Sequence, residues 1–173
     1  QVDHELGGLG EAEAALERTR LLGSSAAAGL GDAVFRMEAE RPVPVVERLL
    51  EFKLTPPFSI TTDSGLRVMP LRGKLDRIDL LDDGTFRLID YKLGWPPDRG
   101  TALQLPIYGL WAEQQLTRER GRPWTLGEAV YLAFKGPRRV VPLFSSPADR
   151  DPVLVAAGRR LAGEDRRDPH RRR

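Results

Sequence analysis

The chain has 173 residues, enough for one compact domain with its own core, and its 40% hydrophobic content argues against a disordered chain. It contains no cysteine, which excludes disulfides, thiolate zinc sites and iron–sulfur ligation within these residues. A net charge of +2 says little about partners by itself, and no apolar run approaches the roughly 18–20 residues that cross a bilayer.

The start, Gln1-Val2-Asp3-His4-Glu5, lacks the basic-then-apolar pattern of a secretion signal and lacks an initiator Met. The expectation is a piece of a longer cytosolic protein. Glu11 to Leu22 reads as a helix, with Ala15, Leu16 and Leu22 on one side. Gly23-Ser24-Ser25 breaks it, and Ser25 is a plausible N-cap for a second helix that continues through Gly29 to Arg41 and stops at Pro42 and Pro44. The texture then changes. Val45 to Leu54 is a strand, and Phe58 to Thr62 extends the sheet after Pro56-Pro57. Leu66 to Leu81 is one long strand and Phe86 to Lys92 another, joined by the hairpin signal Asp82-Asp83-Gly84. Gly94 to Asp98 is a loop. Leu103 to Glu119 is a helix that tolerates Pro106 only in its first turn. Ala129 to Lys135 and Val140 to Phe144 form a second hairpin, and Asp149 to Ala162 a last helix. Helices, strands, helix, strands and helix in that order predict an α/β or α+β domain built on a central mixed sheet. Basic residues cluster from Lys135 to Arg139 and from Arg159 to Arg173; a charged tail of this kind is a solvated end or a nucleic-acid contact.

The chemistry concentrates in Gly73-Lys74-Leu75-Asp76-Arg77-Ile78-Asp79 and Leu88-Ile89-Asp90-Tyr91-Lys92. A three-residue loop of Asp82, Asp83 and Gly84 suits a type I turn closed by a left-handed glycine. In that register Asp76 lies opposite Asp90, with Cβ atoms about 5 Å apart, and Lys92 shares the face of Asp90. A two-residue turn would send Asp76 to the other face. Two opposed carboxylates repel unless neutralised; Lys92 does so in part, and a divalent ion such as Mg²⁺ or Mn²⁺ would do so better. Such an ion polarises a phosphodiester and activates water, and Lys92 beside it orients that water or stabilises charge on phosphorus. The competing reading is a surface salt bridge on the sheet. Arg77 and Asp79 fall on the opposite face, where a supporting salt bridge suits them.

Those two segments, followed by Gln104-Leu105-Pro106-Ile107-Tyr108, resemble the PD-(D/E)xK nuclease superfamily, most closely its RecB-type branch. The likeness covers about residues 45 to 162. It implies a restriction-endonuclease-like α/β fold, a central mixed sheet flanked by helices, with an N-terminal helical segment over 1–44, a nuclease core over 45–163 and a basic, unpacked tail over 164–173. It implies metal-dependent cleavage of DNA, exonuclease action in repair or recombination, and a helicase domain or subunit as partner in the bacterial cytoplasm. The alternative is a nuclease-like module that binds DNA or a partner without cutting. By the likeness, Asp76, Asp90 and the Tyr91 carbonyl are metal ligands, and Lys92 is the catalytic lysine. Gln104 and Tyr108, four apart on one helix face, steady that lysine or a DNA phosphate, unless Tyr108 is a core aromatic and Gln104 merely a polar residue at the helix start. The fourth ligand is open. RecB-type domains carry a histidine on an early helix, which His4-Glu5-Leu6 matches only at its end. Glu51, one strand before the motif, either touches metal or phosphate or is an exposed strand residue. The cysteine cluster of AddB-like members has no counterpart here, so the expectation is a fragment or a cluster-free variant.

Overall fold

A computed structural model describes residues 10–26, 29–40, 43–62, 65–98, 102–133, 135, 140–144 and 146–163, except the side chains of residues 33 and 37. His4 and the tail beyond residue 163 lie outside the described residues. The elements in chain order are α1 (Glu11–Leu22), α2 (Leu30–Ala39), β1 (Val45–Leu54), β2 (Phe58–Thr62), β3 (Gly65–Met69), β4 (Gly73–Leu81) and β5 (Thr85–Lys92). They are followed by α3 (Gln104–Arg120), β6 (Thr125–Ala133), β7 (Val140–Pro142) and α4 (Pro147–Leu161).

Five strands form one sheet in the order β1-β4-β5-β6-β7. All neighbours are antiparallel except β5 and β6, which run parallel. The sheet is therefore mixed, and helices cover both faces. On one face, α3 and α4 bury Leu105, Trp111, Leu116 and Leu154 against Ile78, Phe86, Leu88, Leu126 and Tyr131. On the other, Leu30 of α2 closes over Ile89, Val130 and Leu132. This is the α/β architecture expected for a restriction-endonuclease-like domain. Burying these side chains provides the main driving force, on the order of 1.5–3 kcal/mol for each large apolar residue.

Helix α1 is built from strong helix formers, Ala, Glu, Leu and Arg, and ends at Gly23. The second helix starts later than its sequence suggests. Its N-cap is Gly29, not Ser25, because Asp32 in the first turn accepts the Gly29 N–H at 3.0 Å and so anchors the start there.

The stretch from Leu66 to Leu81 is two strands. Pro70 cannot donate to a ladder, and Pro70-Leu71-Arg72 carries the chain from β3 to β4. Likewise β2 does not extend the main sheet but pairs with β3 in a separate two-stranded ribbon. The Pro56-Pro57 break, a cis peptide bond, leaves nearby backbone groups without ladder partners. Helix α3 takes them up. Gln115 accepts the Thr55 N–H at 2.8 Å, Trp111 Nε1 donates to the Thr55 carbonyl at 3.0 Å, and Gln114 bonds both the N–H and the carbonyl of Ser59. Strand β6 also begins earlier than expected, at Thr125, because it pairs with β5 along its whole length as well as forming the expected hairpin with β7.

The β4–β5 hairpin has the three-residue loop Asp82-Asp83-Gly84. Gly84 takes φ +81°, a left-handed conformation that a side chain disfavours, and its N–H donates to the Leu81 carbonyl at 3.2 Å. The register runs Leu80↔Phe86, Asp79↔Arg87, Ile78↔Leu88 and Arg77↔Ile89. The next step along it is Asp76 and Asp90.

Candidate active site

The hairpin sorts its charges between two faces. Toward α2, Arg77, Asp79 and Arg87 are buried, with Asp79 wholly so. Asp79 Oδ1 accepts from Arg48 Nε at 2.9 Å and Arg77 Nε at 2.8 Å. Its Oδ2 accepts from Arg77 Nη2 at 2.7 Å and Arg87 Nη2 at 3.2 Å. Glu38 of α2 pairs with Arg48, Arg77 and Arg87, and Glu128 lies 3.6 Å from Arg87. Three guanidiniums thus meet three carboxylates. Burial would lower the Arg77 pKa, but the hydrogen bonds it donates to Asp79, Tyr91 and Glu38 outweigh it and raise it instead. This is the supporting salt bridge that alternation places opposite Asp76, enlarged by Glu38 from the N-terminal helices.

Toward α3 the arrangement is different. Lys92 Nζ sits 2.5 Å from Asp90 Oδ2 and donates to Gln104 Oε1 at 3.0 Å. Gln104 occupies the first turn of α3, with Pro106 two residues on. The Tyr131 ring lies beneath the lysine, 5.6 Å from Nζ to centroid. Asp90 is buried, and its Oδ2 is the oxygen that faces the Lys92 ammonium. Burial, above all, raises the Asp90 pKa; Lys92 opposes the shift and Asp76 adds to it.

Asp76 approaches by an indirect route. The β4–β5 ladder ends at Arg77↔Ile89, and the Asp76 carboxylate then takes the place of the next ladder acceptor, receiving the Tyr91 N–H at 2.8 Å. Side-chain alternation also slips here: Leu75 and Ile78, three apart, both join the larger core. On the neighbouring strand Glu51 has φ +53°, an uncommon conformation for a residue with a side chain, while the ladder resumes on both sides as Leu50↔Arg77 and Phe52↔Leu75. Glu51 is exposed and ion-pairs with Lys74, whose pKa it raises through their hydrogen bond and charge; Asp76 raises it further. Glu51 thus lies at the strand step beside Asp76, with Lys74 as its ion-pair partner. Tyr108 packs on Gly73: a Cβ there would lie 3.0 Å from the ring, so glycine is what lets the tyrosine approach the strand. Tyr108 is partly buried against the core, four residues along α3 from Gln104.

Asp76, Asp90, Lys92 and Gln104 therefore come together, Tyr91 links two of them through its backbone, and Tyr108 covers the strand leading in. Tyr131 belongs to the site and is absent from the sequence reading. Parallel pairing of β5 with β6 sets it across from Asp90, whereas the apolar run from Ala129 reads only as hairpin. Burial pushes its hydroxyl pKa up to about 12. Two neighbouring carboxylates are hard oxygen donors that repel one another, which suits a divalent cation beside Asp76 and Asp90. Among the described residues no three His, Cys, Asp or Glu side chains converge as a complete metal cluster.

A family model described as the PD-(D/E)XK nuclease superfamily matches residues 4–169. A search of curated proteins finds no match. A match over nearly the whole chain, on a mixed sheet flanked by helices, establishes that the chain belongs to the PD-(D/E)XK nuclease superfamily, whose members are generally nucleases.

Proposed function

We propose that this chain is a divalent-metal-dependent deoxyribonuclease of the RecB type, acting as an exonuclease on DNA ends in repair or recombination beside a helicase domain or subunit in the bacterial cytoplasm. The observation that carries the reading is the approach of two carboxylates: Asp76, which receives the Tyr91 N–H, and the buried Asp90, whose pKa burial raises and which ion-pairs with Lys92. Neighbouring carboxylates repel, and a divalent cation held between them would relieve that. Asp76, Asp90 and the Tyr91 carbonyl would hold Mg²⁺ or Mn²⁺, with His4 or Glu51 as candidate further ligands. When bound, the ion supplies Lewis-acid polarisation of the phosphodiester and a water of lowered pKa.

The chain's own residues do the rest. Asp90, Gln104 and the Tyr131 ring fix the Lys92 ammonium in one position, where it orients the attacking water or stabilises charge on the pentavalent phosphorus. Gln104 holds the lysine from the helix start, and Tyr108 keeps α3 against Gly73. Among the described residues no helix is long and apolar enough to cross a membrane.

The test is degradation of linear DNA in Mg²⁺ or Mn²⁺. Asp90→Ala should slow it by at least about 10²–10³-fold while retaining a folded circular dichroism spectrum. Equal rates in the two proteins would overturn the assignment. The second reading, a binding module that does not cut, draws on the incomplete carboxylate cluster among the described residues. No Mn²⁺ binding even at millimolar concentration would favour it.

A further inference from the structure

We propose that Trp95, with Leu93, forms a stacking platform for an unpaired base of the DNA strand entering the site, so that the preferred substrate is single-stranded or frayed DNA; this rests on the nuclease reading above. The chain has three tryptophans. Trp111 and Trp124 are buried, but Trp95 is 67% exposed and Leu93 80%. Both lie in the loop that leaves β5 directly after Lys92. An exposed tryptophan three positions after Lys92 offers a large flat contact surface next to the residues of the site.

The loop is held in place. The Lys135 N–H donates to the Gly94 carbonyl at 3.1 Å, tying it to the end of β6, and the Ala102 N–H donates to the Asp98 carbonyl at 2.9 Å. Pro96 and Pro97 restrict the backbone after Trp95. Trp95 is thus an ordered aromatic at the carboxyl ends of two parallel strands, the edge where open α/β sheets take their ligands. Trp95 is three residues on from Lys92, a backbone reach of at most about 11 Å, or about three nucleotides at the spacing along one DNA strand. Lys135, which pins the loop, is itself exposed and adds a cation beside the platform.

An indole offers a flat π-face that any unpaired base can use without sequence preference. A base locked inside a duplex presents no free face, which is why the contact selects unpaired ends. A protein partner on the same apolar pair is the competing occupant. The adjoining site and cation favour a nucleic-acid strand.

The experiment measures anisotropy of fluorescein-labelled oligodeoxythymidylate and of a blunt duplex with the chain in EDTA, so that nothing is cleaved. Trp95→Ala should weaken oligodeoxythymidylate binding about tenfold and leave duplex binding nearly unchanged. Trp95→Phe should stay within about threefold of wild type, because it keeps a π-face, whereas Trp95→Leu should behave like alanine. Unchanged binding in Trp95→Ala, full binding in Trp95→Leu, or no binding by the wild type would each overturn the platform; the first would point to a protein contact. Cleavage of linear DNA by the wild type in Mg²⁺, with Asp90→Ala as its negative control, separates the two readings: a wild type that binds through Trp95 yet never cleaves removes the nuclease reading and leaves the platform standing. A chain that cleaves while Trp95→Ala binds normally does the reverse.

Discussion

The two faces of the β4–β5 hairpin use the same kinds of residue to opposite ends. On the α2 side, Asp79 receives four charge-assisted hydrogen bonds from three arginines, and Glu38 and Glu128 balance the remaining charge. On the α3 side, Asp90 is also buried, but its ion-pair partner is one lysine, and Asp76 adds a like charge nearby. A buried carboxylate with many donors fixes structure, because removing any partner strands the others. One with few donors and a like charge beside it is tolerated where something else is to bind. Burial alone does not distinguish a catalytic aspartate from a structural one in this protein; the count of donors does.

The sharpest way to break that comparison is Asp79→Ala. It would leave Arg77 and Arg87 buried beside Glu38 with their central carboxylate gone. We expect a loss of about 3–5 kcal/mol in unfolding free energy, read by urea titration. Part of the loss should appear as loosening of the end of α2, since Glu38 is that helix's ionic link to the sheet. Asp90→Ala should cost far less stability and nearly all activity. A chain that survives Asp79→Ala with its stability intact would erase the distinction between the two faces.

Gln104→Leu tests the α3 side at intermediate size. The substitution keeps the helix start and removes the oxygen that receives the Lys92 ammonium. A positioning residue of this kind costs about 10–100-fold when lost. The decrease should appear in kcat with little change in KM, since the residue orients the lysine and does not bind the substrate at large. Thermal stability should hold, because Gln104 is exposed. Partial recovery in Gln104→Glu, which restores an acceptor, would separate positioning from packing. An equal fall in kcat and stability would make Gln104 merely a helix-start residue.

Much of this was legible in the sequence, and the reasons differ by element. The turn was readable because Gly84 follows two aspartates and suits the left-handed end of a three-residue loop; the shorter Asp-Gly turn was the competing register, and the structure has the longer one. From that register follow both Asp79 facing Arg87 and Asp76 approaching Asp90. The parallel pairing of β5 and β6 was hidden, since an apolar run reads alike in a hairpin and in a parallel ladder; Tyr131 was lost with it. The separate β2–β3 ribbon was hidden for a related reason: whether a strand after Pro56-Pro57 rejoins the sheet is decided by Gln114 and Gln115, more than fifty residues away. Glu38 likewise joins the arginines only in three dimensions. Local signals survive in sequence; partners supplied by distant elements do not.

Because one turn feeds both faces, a small change there should touch both slightly. Asp83 accepts the Thr85 N–H at 2.9 Å and the Thr85 hydroxyl at 2.7 Å, and these bonds hold its pKa below the usual carboxylate value. A carboxylate with a lowered folded-state pKa contributes stability that is present above its ordinary pKa and is lost as pH falls through the folded value. Asp83→Ala should therefore be less stable than wild type at neutral pH, by a few tenths to about 1 kcal/mol for an exposed pair of bonds. The gap should close in acid, below the range where the native carboxylate titrates. Paired urea titrations at neutral and acid pH measure this. Cleavage should fall no more than about twofold if the register survives, because Gly84, not Asp83, sets the left-handed step. A large loss of activity with normal stability would mean that Asp83 acts on the Asp76–Asp90 side alone, and the shared dependence of the two faces on this turn would be wrong.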